Sequence, residues 1–185
     1  MADLDDPRGR PSAFFEAHFS ALAEAARGHP ILDLACGRGR HATTAASRGL
    51  RVVALDRNRA FLNALAALEI DAPGSIEVVE SDLESAADPP LQEARFGGIL
   101  VFRYLHRPLM PWIERGLRPG GLLLYETFTL AQRGLGWGPR RVDFLLQPRE
   151  LPSLLPKLEV IAYEEGLSAE DPPAHTGRLI ARRPA

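Results

Sequence analysis

Five residues of this 185-residue chain have the types and spacing of a ligand site: Asp33, Gly37, Gly39, Asp56 and Asp82. Asp33 lies in the apolar run Ile31-Leu32-Asp33-Leu34, and Ala35-Cys36-Gly37-Arg38-Gly39-Arg40-His41-Ala42 follows it. Glycines at such a place let the backbone turn sharply and approach a ligand closely. Gly37-x-Gly39-x-x-Ala42 satisfies the loose form of a dinucleotide-binding turn, and Asp56 stands at the distance from which a carboxylate holds a ribose diol. Any tight strand–helix junction can carry two glycines, so that match is weak by itself. Asp33 alters the reading. A carboxylate four residues before Gly37 repels a pyrophosphate, whereas it pairs with a ligand that carries an ammonium group.

Bringing those acids together requires a particular scaffold. Phe14, Phe15, His18, Phe19, Leu22 and Ala26 recur at helical spacing, which predicts a helix over 12–27 with Ser12 as its N-cap. A short buried strand at 31–34, a helix over 40–48, a strand over 51–55 and a helix over 59–68 follow. A third strand is expected at 76–79, then a weak helix that Pro89 and Pro90 cut short. The continuous apolar run at 98–102 suits a strand covered on both faces. A helix over 110–116 and a turn at Pro119-Gly120-Gly121 lead to a fifth strand at 122–126. This alternation implies right-handed crossovers and a parallel sheet with helices on both sides. Beyond it lie a glycine-rich stretch at 127–147, a helix over 148–155, and strands at 158–163 and 178–182 with no helix between them. The expected fold is α/β: a doubly wound, Rossmann-like sandwich whose seven-stranded, mostly parallel sheet ends in a C-terminal antiparallel hairpin. One domain is expected over 12–185, after a flexible polar segment at 1–11. Such sheets bind ligands beyond the carboxyl ends of their strands, where Asp33, Asp56 and Asp82 fall.

The chain resembles the class I S-adenosylmethionine-dependent methyltransferases over about residues 12–183. The matching segments are Ile31-Leu32-Asp33-Leu34-Ala35-Cys36-Gly37-Arg38-Gly39, Val53-Ala54-Leu55-Asp56, Glu80-Ser81-Asp82-Leu83, Phe96-Gly97-Gly98-Ile99-Leu100-Val101-Phe102 and Leu117-Arg118-Pro119-Gly120-Gly121-Leu122-Leu123. Within that family it looks like the small stand-alone members of the tellurite-resistance type, which act on small thiols, metalloids or metabolites. The resemblance implies that the backbone at Ala35, Gly37 and Gly39 passes under the methionine moiety of the donor, and that Asp33 meets its amine. It implies that Asp56 accepts from both ribose hydroxyls, that Asp82 accepts from the adenine amine and that the Leu83 N–H donates to the ring. Leu83 and the stem of Arg57 would sandwich the base, and Arg103 joins the donor-binding set at the end of the fourth strand. No metal is implied. Ala35 stands where many members have glycine, and Arg57 where an apolar residue is common.

The acceptor would sit across the ends of the fourth and fifth strands. His106 is the candidate general base, Tyr104 a substrate contact, and Glu126 either a site residue or the partner of Arg103 or Arg107 in a structural salt bridge. His41 is expected to face the donor pocket or solvent, His18 to be a core or lid residue, and Cys36 a small buried filler. The segment Arg133-Gly134-Leu135-Gly136-Trp137-Gly138-Pro139-Arg140-Arg141 suggests a mobile flap over an anionic or planar acceptor, or else a solvated loop anchored by Trp137. Arg103-Tyr104-Leu105-His106 stands where nucleobase- and amide-methylating relatives carry an Asn-Pro-Pro-Tyr-like motif, which argues against those substrates.

Composition sets the bounds. Apolar residues at 45% and charged residues at 25% are globular values, and a formal charge of −2 gives no general electrostatic case for nucleic acid or an anionic membrane. No apolar run approaches the roughly 18 residues of a membrane span. The start, Met1-Ala2-Asp3-Leu4-Asp5-Asp6, lacks a signal peptide's apolar stretch, and the single cysteine forms no internal disulfide, so a cytoplasmic location is expected. The expected activity is methyl transfer from S-adenosylmethionine to a small thiol, metalloid or other metabolite. An NAD-dependent oxidoreductase and a non-catalytic cofactor-binding or RNA-interacting module are the alternatives.

Overall fold

The computed structural model describes residues 9–85, 89–168 and 170–185. Ser12 caps the first helix, α1 (Ala13–Ala25), its hydroxyl accepting the Phe15 N–H at 3.1 Å. There follow β1 (Ile31–Leu34), α2 (Arg40–Ser47), β2 (Arg51–Asp56), α3 (Arg59–Ala66), β3 (Ser75–Glu80) and β4 (Phe96–Phe102). The second half contains α4 (Met110–Gly116), β5 (Leu117–Phe128), α5 (Glu150–Ser153), β6 (Glu159–Leu167) and β7 (His175–Arg182). The strands form one seven-stranded sheet in the order β3-β2-β1-β4-β5-β7-β6. The first five run parallel, and β7 pairs antiparallel with both β5 and β6. The expected α/β sandwich with its closing hairpin is therefore the observed one.

Strand periodicity decides which side chains face which layer. Ile31, Val52, Ala54, Leu100 and Leu124 pack with α1, α2 and α3 on one face. Leu32, Leu34, Val53, Ile99 and Leu123 pack with α4 and α5 on the other. Asp33 alternates onto the first face, under the start of α2. With β2 and β3 to one side of β1 and β4 to the other, the strand order reverses between β1 and β4, where a crevice opens.

Three local expectations change. The fifth strand begins at Leu117, ahead of Pro119-Gly120-Gly121. Its pairing with β4 shifts between Phe96 and Gly98, and the intervening turn is held by the Gly120 N–H to Arg183 and the Arg183 N–H to Gly121. The weak helix after β3 falls partly on 86–88, outside the described residues, and 83–85 form a turn. The stretch 127–147, expected as a flap or a solvated loop, is a roof tied down by partly buried hydrogen bonds. It contains two 3-10 turns, Leu130–Leu135 and Val142–Phe144. Gln132, with no exposed surface, accepts from the His175 N–H (2.8 Å) and donates to the Trp137 carbonyl (3.0 Å). Arg107 clamps the far end through the carbonyls of Asp143 and Leu145 and the carboxylate of Glu150.

Candidate active site

Two cavities meet over the crevice. The larger, 390 Å³, is lined by Asp56, Arg57, Asp82, Leu83, Glu84 and Tyr104, and by Leu105, Phe128, Pro139 and Phe144. The smaller, 350 Å³, is lined by Asp33, Cys36, Gly37, Arg40, His41 and Phe102. Ala35 and Arg103 border both, so the two form one bent trough.

At the smaller end, Asp33 is 1% exposed and accepts the Ala42 N–H at 3.0 Å. Burial pushes its carboxyl up to about 7, against the opposing pull of that hydrogen bond and of Arg40. A buried carboxylate so poorly compensated suits a cationic group. Arg40, beside it, donates to the Arg10 carbonyl at 3.1 Å and offers a guanidinium to an anion in the same cavity. Gly37 has φ +57°, and a Cβ there would project into open space, which makes its backbone the cavity floor. Gly39 behaves differently. At φ +80° a Cβ would come within 2.7 Å of the Leu65 side chain, and Gly39 lines neither cavity. The contact the structure gives Gly39 is thus packing against α3. Ala35 lies in the left-handed region, at φ 55°.

The bend carries Asp56, which accepts the N–H groups of Gly37 and Asn58, each at 2.8 Å. Asp82, exposed, accepts the Glu84 N–H at 3.0 Å at the start of the turn over 83–85, and it lines the larger cavity. Buried Leu83 and exposed Arg57 border that cavity as well. The trough thus gathers Asp33, Ala35, Gly37, Asp56, Arg57, Asp82, Leu83 and Arg103.

The three acceptor-side candidates fare less well. Tyr104 lines the larger cavity with a buried hydroxyl that has no partner. Burial first, then Glu84 and Asp82, push that phenol up, so the hydroxyl sits with the acids of the Asp82 end. His106 is half-buried, receives the Leu109 N–H on its carbonyl and lines neither cavity. Glu126 pairs with neither Arg103 nor Arg107, which bind Glu170 (2.7 Å) and Glu150 (2.7 Å) respectively. Instead it accepts from Thr176 at 3.3 Å, and its second oxygen is buried without a partner. Burial is the main cause that raises its carboxyl, with Ser12 pulling the other way.

His41 is 2% exposed, accepts the Ser12 N–H on Nε2 at 3.2 Å and stacks on Phe102 at 3.9 Å. Burial, then Arg40 and Arg103, hold it well below the usual histidine range, so it is neutral with its proton on Nδ1. It borders the pocket while tying α1 to α2. His18 packs edge-on against Phe14 at 4.9 Å, and burial pushes the Cys36 thiol up, which leaves it protonated. Arg40, Phe128, Phe144 and Glu170 were not singled out by sequence. Only Arg40 carried a local signal, as the residue that opens the helix after the glycine turn. Among the described residues, no three His, Cys, Asp or Glu side chains are grouped to hold a metal ion, and no helix is long and apolar enough to cross a membrane.

Residues 31–121 match the family model described as a methyltransferase domain. An uncharacterised methyltransferase of Mycobacterium tuberculosis is 36% identical over 134 residues, covering 70% of this chain and 51% of the relative. The chain thus spans about half the length of the curated relatives it matches. Among solved structures, an S-adenosylmethionine-dependent methyltransferase from Mesorhizobium loti aligns with TM-score 0.69 at 19% identity, covering 98% of this chain and all of the other. TehB from Haemophilus influenzae aligns at 0.66 and 19% identity, over 89% of this chain and 62% of its own. At such identities the likeness is one of fold.

Proposed function

We propose that this chain, which belongs to the class I S-adenosylmethionine-dependent methyltransferases, transfers a methyl group from that donor to a small-molecule acceptor. The observation that carries this reading is the trough itself, in which a buried carboxylate, a Cβ-free floor and a second carboxylate follow one another in the order of a sulfonium nucleoside's groups. Asp33 would take the ammonium of the donor, and Arg40 with the first turn of α2 its carboxylate. Asp56 keeps lone pairs for the ribose diol after accepting from Gly37 and Asn58. Asp82 and the Leu83 N–H would meet the base, with Leu83 and Arg57 on its faces. A dinucleotide suits this trough less, because Asp33 would face its pyrophosphate.

When bound, the donor supplies a methyl carbon activated by its sulfonium, so that one bond forms from the acceptor's lone pair while the carbon–sulfur bond breaks and its electrons stay on sulfur. The chain's part is to hold the two reactants in line and to exclude water. Phe102 and the backbone of Arg103 form the wall nearest the junction of the cavities. Among the three candidates for proton transfer, Tyr104 and Glu126 each keep a buried oxygen without a partner, and of these Glu126 is the carboxylate, paired beside Phe102 in the sheet. It would serve an acceptor that arrives protonated. Tyr104 is read as a contact to the nucleoside end, and no role is carried forward for His106. A cytoplasmic location belongs to the same proposal.

Calorimetric titration with S-adenosylhomocysteine tests the reading. Binding by the wild type and its loss in Asp56→Ala are expected. No binding by the wild type, or unchanged affinity in the variant, would defeat it.

A further inference from the structure

We propose that the roofed half of the larger cavity is an acceptor subsite for a planar aromatic carboxylate, whose anion takes Arg103 away from Glu170. The inference rests on the donor placement given above, because that placement uses only the acidic half of the cavity.

The other half has a different character. Phe128, Phe144, Pro139 and Leu105 present apolar and aromatic surface there. Phe128 meets Trp137 edge to face at 5.8 Å, which makes a rigid corner. Gln132 and Arg107 fix the segment that carries these rings, so the corner is pre-formed.

One cation stands over that corner. The Arg103 guanidinium lies 5.8 Å from the Phe128 ring centre and 5.9 Å from that of Trp137, where the junction of the two cavities places the transferred group. Arg103 holds a left-handed backbone, φ 57°, which a non-glycine residue adopts only when its surroundings enforce it. Here the Arg103 N–H donates to the Glu126 carbonyl at 2.8 Å, and the turn aims the side chain across the trough. Its present partner is Glu170 at 2.7 Å, a single contact from the connection between β6 and β7. The Arg103 side chain keeps 36% of its surface exposed and can turn to a new partner, while Glu170, 18% exposed, stays in the field of Arg40. A planar carboxylate can engage a guanidinium by two parallel hydrogen bonds, a geometry a single carboxylate oxygen does not match. The roof adds Arg133, Arg140 and Arg141 against the lone Asp143, which favours an anion on approach.

The test is a titration of the protein saturated with S-adenosylhomocysteine, using benzoate, methyl benzoate and acetate as probes, in wild type, Arg103→Gln, Glu170→Gln and Phe144→Ala. Benzoate is expected to bind at least about tenfold more tightly than its ester or acetate. Arg103→Gln should lose about tenfold and Phe144→Ala several-fold, while Glu170→Gln, which frees the guanidinium, should gain several-fold. Opposite signs in the Arg103 and Glu170 variants separate partner exchange from general damage. Equal binding of the ester, unchanged benzoate affinity in Arg103→Gln, weaker affinity in Glu170→Gln, or no benzoate binding at about 10 mM would overturn the proposal. S-adenosylhomocysteine titrated alone reads the donor placement separately: its binding without benzoate binding removes the subsite only, and its failure to bind removes both.

Discussion

The Oδ2 of Asp56 accepts the N–H of Gly37 at 2.8 Å, so the carboxylate at the end of β2 fixes the glycine turn that follows β1. A second bond, from the Asn58 N–H to Oδ1 at 2.8 Å, fixes the carboxylate itself. One side chain therefore shapes the floor of the trough and presents lone pairs to it. Asp56→Ala leaves two backbone N–H groups without their partner, which costs about 1–3 kcal/mol of stability. Asp56→Asn keeps one acceptor and should lose less. Thermal unfolding of both variants beside calorimetry with S-adenosylhomocysteine checks this, and both should bind far more weakly than the wild type.

Asp33 makes stability depend on pH. Its carboxyl titrates near 7 in the folded protein because of burial, and near the ordinary aspartate value when unfolded. The folded state thus holds a proton that the unfolded state releases, and stability falls as pH rises from about 4 to about 7. Asp33→Asn removes that cost, so its melting temperature should decline less over this range than that of the wild type. Affinity for S-adenosylhomocysteine should move the other way: it strengthens in the wild type as Asp33 ionises toward about pH 8, and is weak and flat in the variant.

The two glycines should fail differently. Gly37→Ala places its Cβ in open cavity, so the protein should fold with a modest loss, about 1 kcal/mol, from its positive φ and lose donor-product binding. Gly39→Ala drives its Cβ to 2.7 Å from Leu65 and should cost more stability. Comparing the melting temperatures of the two variants with their binding separates floor from packing.

Ala35 is strained at φ 55°. Ala35→Gly should relieve the left-handed strain, about 1–2 kcal/mol, against an unfolded-state entropy cost of about 0.4–1 kcal/mol. A small rise in melting temperature is expected, read by calorimetry.

How far the molecule could be read from its sequence depended on the range of each interaction. Residues 31–34 and 110–116 were bounded correctly because their apolar runs end in turn or cap chemistry that acts within a few residues. Pro119-Gly120-Gly121 misled because its turn chemistry is genuine, yet its backbone completes the sheet through Arg183, far along the chain. Glycines at 134, 136 and 138 suggested motion, and only the fold reveals Gln132 buried between Trp137 and His175. The same limit applies to charge. Glu126 looked like a partner for Arg103 because the two strand ends are neighbours, but Glu170 reaches Arg103 from a connection 67 residues away. The carboxylates at the strand ends were legible since alternation alone places them on one edge. Their engagement by N–H groups was not.

A crystal structure with S-adenosylhomocysteine tests the central claim most directly. The ammonium should lie within about 3.2 Å of an Asp33 oxygen and both ribose hydroxyls within the same reach of Asp56. Either carboxylate turned away from the ligand, or a ligand seated outside the trough between Asp33 and Asp82, would contradict it.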